Sequence, residues 1–308
     1  MKNALVVRST GMWYDLRLPD ESLWRGRLRG KMRLDGMKVT NPVAVGDWVE
    51  VEVEDENEQT LRILRVQERE NYIVRKSPRK RGHGHIIASN LDQVVVVVTM
   101  AYPRTSSGFI DRVTASAESF RIPVVVVFNK SDLLDSKTRV RQNDLRAIYQ
   151  ALGYVCLETS ALNATGIDEL NKVLARKKSL IIGHSGVGKS TLLNQIAPEI
   201  EQQTQEVSAF SEKGMHTTTF AEMFEVAPQT FLIDTPGIKE MGLLQIGADE
   251  LAHYFPEMRE RLGSCKFHNC THRHEPKCGI REAVAAGQIA GERYQNYLRM
   301  LESEEGEP

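Results

Sequence analysis

Two hydrophobic rhythms follow one another along the chain. Up to about residue 75, short β-branched and apolar runs recur at Asn3–Ser9, Leu23–Leu28, Asp47–Val53 and Leu61–Val66. Turn-forming pairs separate them: Arg29-Gly30, Asp35-Gly36, Asn41-Pro42 and Gly46-Asp47. Closely spaced short strands of this kind predict a small β-barrel. From about residue 86 the rhythm changes to strand, helix, strand, helix. Asp92–Thr99, apolar through Val94–Val98, and the wholly apolar Val124–Phe128 read as strands whose sheet is covered by helices on both faces. Val155–Glu158, Leu180–Ile182 and Phe231–Ile233 continue the series. Helices are expected at Phe109–Phe120, Asp144–Leu152, Ile167–Ala175 and from Lys189 onward. The alternation implies a doubly wound α/β domain. After about residue 240 the strands stop, and a Cys/His-rich stretch leads into helical segments at Arg281–Ala285 and Glu292–Glu302.

Charge refines this division. The chain of 308 residues balances 40 Lys and Arg against 41 Asp and Glu, but the balance is uneven along it. Arg25, Arg27, Arg29, Lys31, Arg33 and Lys38 crowd one hairpin of the expected barrel, while Glu50 to Glu58 is acidic. A solvated edge that resists aggregation would carry such charges. So would a nucleic-acid contact. Arg75–His85, with the sequence RKSPRKRGHGH, has no hydrophobic period and reads as a basic linker able to follow a phosphate backbone. The longest apolar runs are far too short to span a bilayer. The opening Met1-Lys2-Asn3-Ala4 lacks the apolar block of a secretion signal, so the expected location is the cytoplasm, with no membrane partner.

The residues Gly183-His184-Ser185-Gly186-Val187-Gly188-Lys189-Ser190 match G-x-x-x-x-G-K-(S/T) between an apolar strand and a helix, the context this motif requires. Backbone N–H groups from Gly183 through Thr191, together with the helix N-terminus, would cradle phosphates. Lys189 would reach the β- and γ-phosphates, and the Ser190 hydroxyl would bind Mg²⁺. Asn129-Lys130-Ser131-Asp132 directly follows the strand Val124–Phe128. It resembles the NKxD motif of GTPases. The Asp132 carboxylate can accept from guanine N1–H and N2–H₂, a donor pair that adenine lacks. Asn129 would brace the loop and the Lys130 stem would cover the base. Thr159-Ser160-Ala161 resembles the motif that supports guanine from its other side, although a helix N-cap would read similarly. Asp234-Thr235-Pro236-Gly237 resembles DxxG, with Asp234 facing Mg²⁺ and the Gly237 N–H sensing the γ-phosphate. Among Thr217, Thr218 and Thr219, Thr218 is the favoured switch ligand of Mg²⁺.

Three of the four cysteines fall within Cys265–Cys278. In a reducing compartment such a cluster favours metal over disulfide. Cys265-x4-Cys270-x-His272-x5-Cys278 offers a closed tetrahedral Zn²⁺ site of structural type, with His268 and His274 as further candidates for the nitrogen ligand.

The motif order is base reader, base support, phosphate loop, switch threonine, DxxG, a circular permutation of the Ras-like order. A barrel, a permuted GTPase and a short Cys/His domain in that sequence resemble the bacterial ribosome small-subunit-dependent GTPases. The resemblance covers nearly the whole chain. It implies a multidomain α/β protein: an OB-fold RNA-binding barrel over 1–75, a basic linker over 76–85, a circularly permuted P-loop GTPase domain over 86–240, and a mainly helical zinc-binding domain over 241–308. It also implies hydrolysis of GTP to GDP and phosphate, stimulated by the 30S subunit, in late small-subunit maturation through 16S rRNA contacts. It favours His272 as the zinc ligand. A monomer is expected. Where Ras-like enzymes place a water-orienting Gln after DxxG, this chain has Ile238, which cannot orient water. His216, in the switch region, is the candidate for that role, to which the resemblance also points. A second reading keeps the protein as a nucleotide-gated RNA-binding module with incidental hydrolysis. A third, an ATP-dependent small-molecule enzyme, is disfavoured by Asp132.

Overall fold

The computed structural model describes residues 2–28, 30, 39–76, 83–198, 221–234 and 246–305. Arg29, Lys31, Arg33 and Lys38 of the basic hairpin lie outside the described residues, as do His216, Thr217 to Thr219, Thr235 to Ile238 and residues 77–82.

Five strands close the N-terminal barrel: β1 (Lys2–Ser9), β2 (Tyr14–Arg17), β3 (Leu23–Leu28), β4 (Trp48–Asp55) and β5 (Thr60–Val66). They run in the order β1-β2-β3-β5-β4, and β4 returns to pair with β1, Leu5 opposite Trp48. Alternation along each strand sends Ala4, Val6, Tyr14, Leu16, Val49, Val51, Leu61 and Ile63 into one interior cluster. The strand β2 escaped the sequence reading because only Tyr14 and Leu16 carry its apolar face.

The stretch read as a linker differs from that expectation at both ends. Tyr72–Lys76 (β6) pairs antiparallel with Gly84–Ser89 (β7), so Arg75, Lys76, Gly84 and His85 lie in strands. Tertiary contacts supply what the local pattern lacks. Asn41 donates to the Ile86 carbonyl and accepts from the Ile86 N–H, both at 2.8 Å, and the Ile73 and Ile86 side chains are buried.

The α/β domain is built on β8 (Gln93–Val98), β9 (Val124–Phe128), β10 (Val155–Glu158), β11 (Lys178–Ile182), β12 (Glu222–Ala227) and β13 (Thr230–Asp234), in the order β10-β9-β8-β11-β13-β12. All pairings among β8 to β11 and β13 are parallel, and β12 is antiparallel. The valine runs divide by parity. Val94, Val96, Val98, Val124, Val126 and Phe128 face one layer with Ile110, Val113, Leu145 and Tyr149. Val95, Val97, Val125 and Val127 face the other, with Ile167, Leu170, Leu174 and Leu192. These layers are α1 (Ser107–Ser119) and α2 (Ser136–Ala151) on one side, and α3 (Ile167–Leu174) and α4 (Lys189–Ile196) on the other. Helix α2 begins at Ser136 and not at Asp144, because the Asp135 carboxylate caps it, accepting from the Thr138 N–H at 2.8 Å.

Barrel and α/β sheet are continuous. Strand β1 pairs with β12 at Arg8 and Glu222, and Arg17 meets Glu225 at 2.6 Å. The C-terminal part comprises a short 3-10 turn at Leu251–Tyr254, then α5 (Pro256–Arg259), α6 (Gly279–Ala285) and α7 (Gly291–Glu305). Phe255, Met258, Ile280, Ile289, Tyr297 and Leu301 form its core. Among the described residues, no helix is long and apolar enough to cross a membrane.

Candidate functional site: a nucleotide cradle and a Cys/His metal centre

The parallel strands deliver their loops to one edge of the sheet, where doubly wound folds bind ligands. Strand β11 sits centrally and ends in the phosphate loop, while β9, two strands away, ends in the NKxD loop. The two loops touch. The buried Asn129 amide donates to the Val187 carbonyl at 2.9 Å. Its oxygen accepts from Thr159 Oγ1 at 3.0 Å and from the Ala161 N–H at 3.3 Å. One side chain thereby ties together the Asn129–Asp132 loop, the Thr159–Ala161 segment and the glycine-rich loop at 183–190. Gly188 enforces the approach: its φ is +92°, and a Cβ there would lie 2.5 Å from the Asn129 amide nitrogen. Gly183 is under similar constraint, since a Cβ would lie 2.5 Å from the Val97 carbonyl oxygen.

Asp132 is exposed at the rim, and Ser160 Oγ donates to its carboxylate, fixing the face it presents. Lys130 takes a left-handed backbone, φ +61°, and its ammonium donates to the Tyr102 carbonyl at 2.6 Å. Lys189 lies across the phosphate loop and donates to the Gly183 and His184 carbonyls at 2.8 and 3.1 Å. Burial pulls its pKa below the usual lysine value, while the Asp234 carboxylate opposes the shift. Asp234 ends β13, in register with Ile181 on the phosphate-loop strand. Ser190 and Thr191 are exposed in the first turn of α4, and the buried Val187 anchors the loop beneath them. Ser185 and Gly186 are exposed at the loop's tip. His216, Thr218 and Gly237 lie outside the described residues.

The second centre joins Cys265, Cys270, His272 and Cys278, whose ligand atoms all lie within 4.8 Å of one another. Cys265 Sγ is 3.8 Å from Cys278 Sγ and 3.5 Å from His272 Nδ1, and Cys278 Sγ is 3.4 Å from the same nitrogen. Tetrahedral zinc, with Zn–S about 2.3 Å and Zn–N about 2.0 Å, separates its ligands by about 3.5 to 3.8 Å, so the four residues fit it. Burial pushes the Cys270 thiol up to about 12 and the Cys278 thiol upward as well. A bound cation is what would hold them as thiolates. Burial also lowers the His272 pKa, favouring the neutral, metal-binding imidazole.

The sequence reading missed two supports of this loop. Glu275 accepts from Thr271 Oγ1 at 2.6 Å and from the Thr271, Arg273 and His274 N–H groups at 2.7, 2.9 and 3.1 Å. Tyr294 and Tyr297 donate to the His272 and Thr271 carbonyls at 2.5 and 2.9 Å. An acidic residue between His272 and Cys278 was a usable signal for the first. For the tyrosines no local signal existed, because they come from α7. Tyr102 beside Lys130 was likewise invisible in the motif.

Of the basic surface, Arg27 is engaged by Glu54, at 2.9 and 2.6 Å, and lies over Trp13, 5.5 Å from its ring centroid. Arg25 is exposed. Lys266, Phe267, His268 and His274 form an exposed rim on the Cys/His loop, with the Lys266 ammonium 5.2 Å from the centre of the Phe267 ring.

Residues 66–244 match the RsgA GTPase family model, and residues 4–61 match that of the RsgA N-terminal domain. The chain is 46% identical over 301 residues to a Bacteroides fragilis protein named small ribosomal subunit biogenesis GTPase RsgA, covering 98% of this chain and 96% of that one. A Cytophaga hutchinsonii protein of the same name is 46% identical over 297 residues, covering 96% and 97%. The crystal structure of YjeQ from Thermotoga maritima superposes with a TM-score of 0.78 at 33% identity, covering 100% of this chain and 99% of that one. YloQ, described as a circularly permuted GTPase, superposes with a TM-score of 0.72 at 27% identity, covering 100% and 96%. The chain is a GTPase and belongs to the RsgA GTPase family.

Proposed function

We propose that this protein hydrolyses GTP to GDP and phosphate in the service of small ribosomal subunit biogenesis, with the 30S subunit as its activator and 16S rRNA as its scaffold. The observation that carries the catalytic half is the Asn129–Val187 contact at 2.9 Å. It sets the guanine reader and the phosphate loop side by side, so that Asp132 and Lys189 serve opposite ends of one nucleotide. Asp132, oriented by Ser160, accepts from the guanine edge, and Lys130 and Ala161 flank the base. The N–H groups of the phosphate loop and Lys189 hold the β- and γ-phosphates. Ser190 and Thr218 would hold Mg²⁺, with Asp234 holding it through water, and the ion would neutralise charge developing on the phosphates. His216 positions the attacking water when the protein is bound to the 30S subunit, the role that Ile238 cannot fill.

Zinc in the Cys/His centre is structural, because four protein ligands leave no open position. Native mass measurement is expected to find one zinc per chain, lost on chelation. The exposed rim of Lys266, His268 and His274, with Arg25 on the barrel, supplies phosphate contacts. The RNA reading draws on the relatives' naming for small ribosomal subunit biogenesis, and a monomer in the cytoplasm is part of the same proposal.

The deciding experiment is GTP hydrolysis titrated with purified 30S subunits, for wild type and His216→Ala. Strong stimulation of the wild type, lost in His216→Ala, is the expected result. Stimulation unchanged in the variant would remove His216 from the mechanism. No stimulation at all would favour the RNA-binding module whose hydrolysis is incidental, the reading that Ile238 supports.

A further inference from the structure

The phosphate loop is backed from behind by the first turn of α1. The Phe109 ring centroid lies 4.0 Å from that of His184, the planes tilted by 36°. Phe109 is buried, so the stack is a packed contact and not a surface encounter. His184 is also one of the two residues whose carbonyls hold the Lys189 ammonium. Phe109 therefore supports the segment of the loop that holds its cation.

What holds Phe109 comes from the far end of the chain. The Asn296 amide of α7 donates to Ser107 Oγ at 3.0 Å and to Asp111 Oδ2 at 2.7 Å. A Cβ on Gly108 would lie 3.3 Å from the Asn296 oxygen, so the helices are in close contact at this turn. Ser107 Oγ donates in turn to Glu292 at 2.5 Å, and Arg141 of α2 donates to the same Glu292 oxygen. One turn of α7 thus grips both α1, whose Phe109 packs against His184 of the phosphate loop, and α2, which follows the base reader. The same helix, through Tyr294 and Tyr297, holds the backbone of the Cys/His loop.

We propose that Phe109 is a positioning residue for the phosphate loop and that α7 sets it, so that the docking of the Cys/His module governs nucleotide affinity. The route is separate from the DxxG segment, which leads into the same module along the chain. It rests on the assignment of residues 183–190 to the phosphates of the nucleotide. A cradle of backbone N–H groups is sensitive to small displacements, since misplacement by about 1 Å costs orders of magnitude in positioned chemistry.

The test uses the full-length, zinc-loaded protein, fluorescent GDP, and the His184 ring-proton resonance, which senses the adjacent Phe109 ring. Phe109→Leu and Asn296→Ala are each expected to weaken GDP binding about tenfold, and the double variant no further than the weaker single, as coupled sites behave. The His184 resonance should move in both singles, including Asn296→Ala, where Phe109 is intact. Glu292→Gln, a nearly isosteric change, should move it in the same direction and covers the case in which Asn296→Ala does not fold. Glu302→Gln, at an exposed position nearly two turns beyond Asn296 on α7, should keep wild-type GDP affinity. A wild-type affinity and an unmoved His184 signal in the folded α7 variants would overturn the inference, as would losses that multiply in the double variant. Lys189→Ala separates the layers. If it abolishes GDP binding while the α7 variants bind normally, this inference alone fails. If it leaves GDP binding intact, the underlying assignment fails with it.

Discussion

At the scale of single residues, the site turns on hydrogen-bond matching. In the proposed assignment Asp132 would present two acceptors to the guanine edge, and Ser160 donates to its carboxylate. Asp132→Asn replaces one acceptor with a donor. GDP affinity should fall by about a hundredfold or more, since a site built for a hydrogen bond rejects a partner that leaves it unmade. Xanthosine diphosphate, which offers an acceptor where guanine has its amino group, should bind the variant better than GDP does. Competition between the two nucleotides in an equilibrium binding assay checks both statements. Asn129 acts differently: it touches protein on three sides and serves by keeping the loops together.

At the scale of elements, α1, α5 and α7 meet around a buried charge cluster. Arg293 donates to Asp111 at 2.6 Å and to both Glu257 oxygens at 2.7 and 3.0 Å. Its guanidinium also lies 4.8 Å from the Phe255 ring centroid. Arg293→Met leaves two buried carboxylates facing each other without their cation. Such a change costs about 3 to 5 kcal/mol, to be read as a lowered urea midpoint. The hairpin β6–β7 supplies a pH dependence. Burial, aided by the neighbouring Arg75 charge, lowers the His85 pKa from 6.5 to about 4. Between these values the unfolded chain binds more protons than the folded one, so hairpin stability rises with pH across that window. It is fully present above about pH 6.5 and is lost as pH falls toward 4. Amide exchange in β6 and β7, corrected for its intrinsic pH dependence, should show faster opening at pH 5 than at pH 7. His85→Gln should flatten the difference.

At the scale of the molecule, one sheet runs from β10 through the α/β domain into the barrel. The β1–β12 pair, with the Arg17–Glu225 ion pair at 2.6 Å, joins the halves that the sequence presented as separate rhythms. The barrel surface and the Cys/His rim are thereby carried on one framework with the nucleotide site between them in the chain. If both surfaces meet phosphate backbone, affinity for the 30S subunit should fall steeply as salt is raised from about 50 to 200 mM. A salt series on subunit binding checks this. Replacing Lys266 by Ala should lower the slope.

The local patterns from which the site is proposed were legible in the sequence. Gly183–Ser190, Asn129–Asp132, Asp234 and the Cys/His spacing are short-range patterns, because phosphate cradles, base readers and metal loops are built largely within one turn of chain. The central strands were legible too, since burial on both faces leaves no room for polar residues in Val94–Val98 or Val124–Phe128. What only the tertiary structure decided are the contacts between distant segments. Asn129 finding Val187, α7 bracing α1 behind the phosphate loop, and β1 continuing the sheet through β12 leave no periodic trace, because each needs only one or two side chains from each partner. The pairing of β6 with β7 is of the same kind: a charged, weakly patterned stretch became strand because Asn41, 45 residues away in sequence, exchanges two hydrogen bonds with the Ile86 backbone, beyond the reach of a local window.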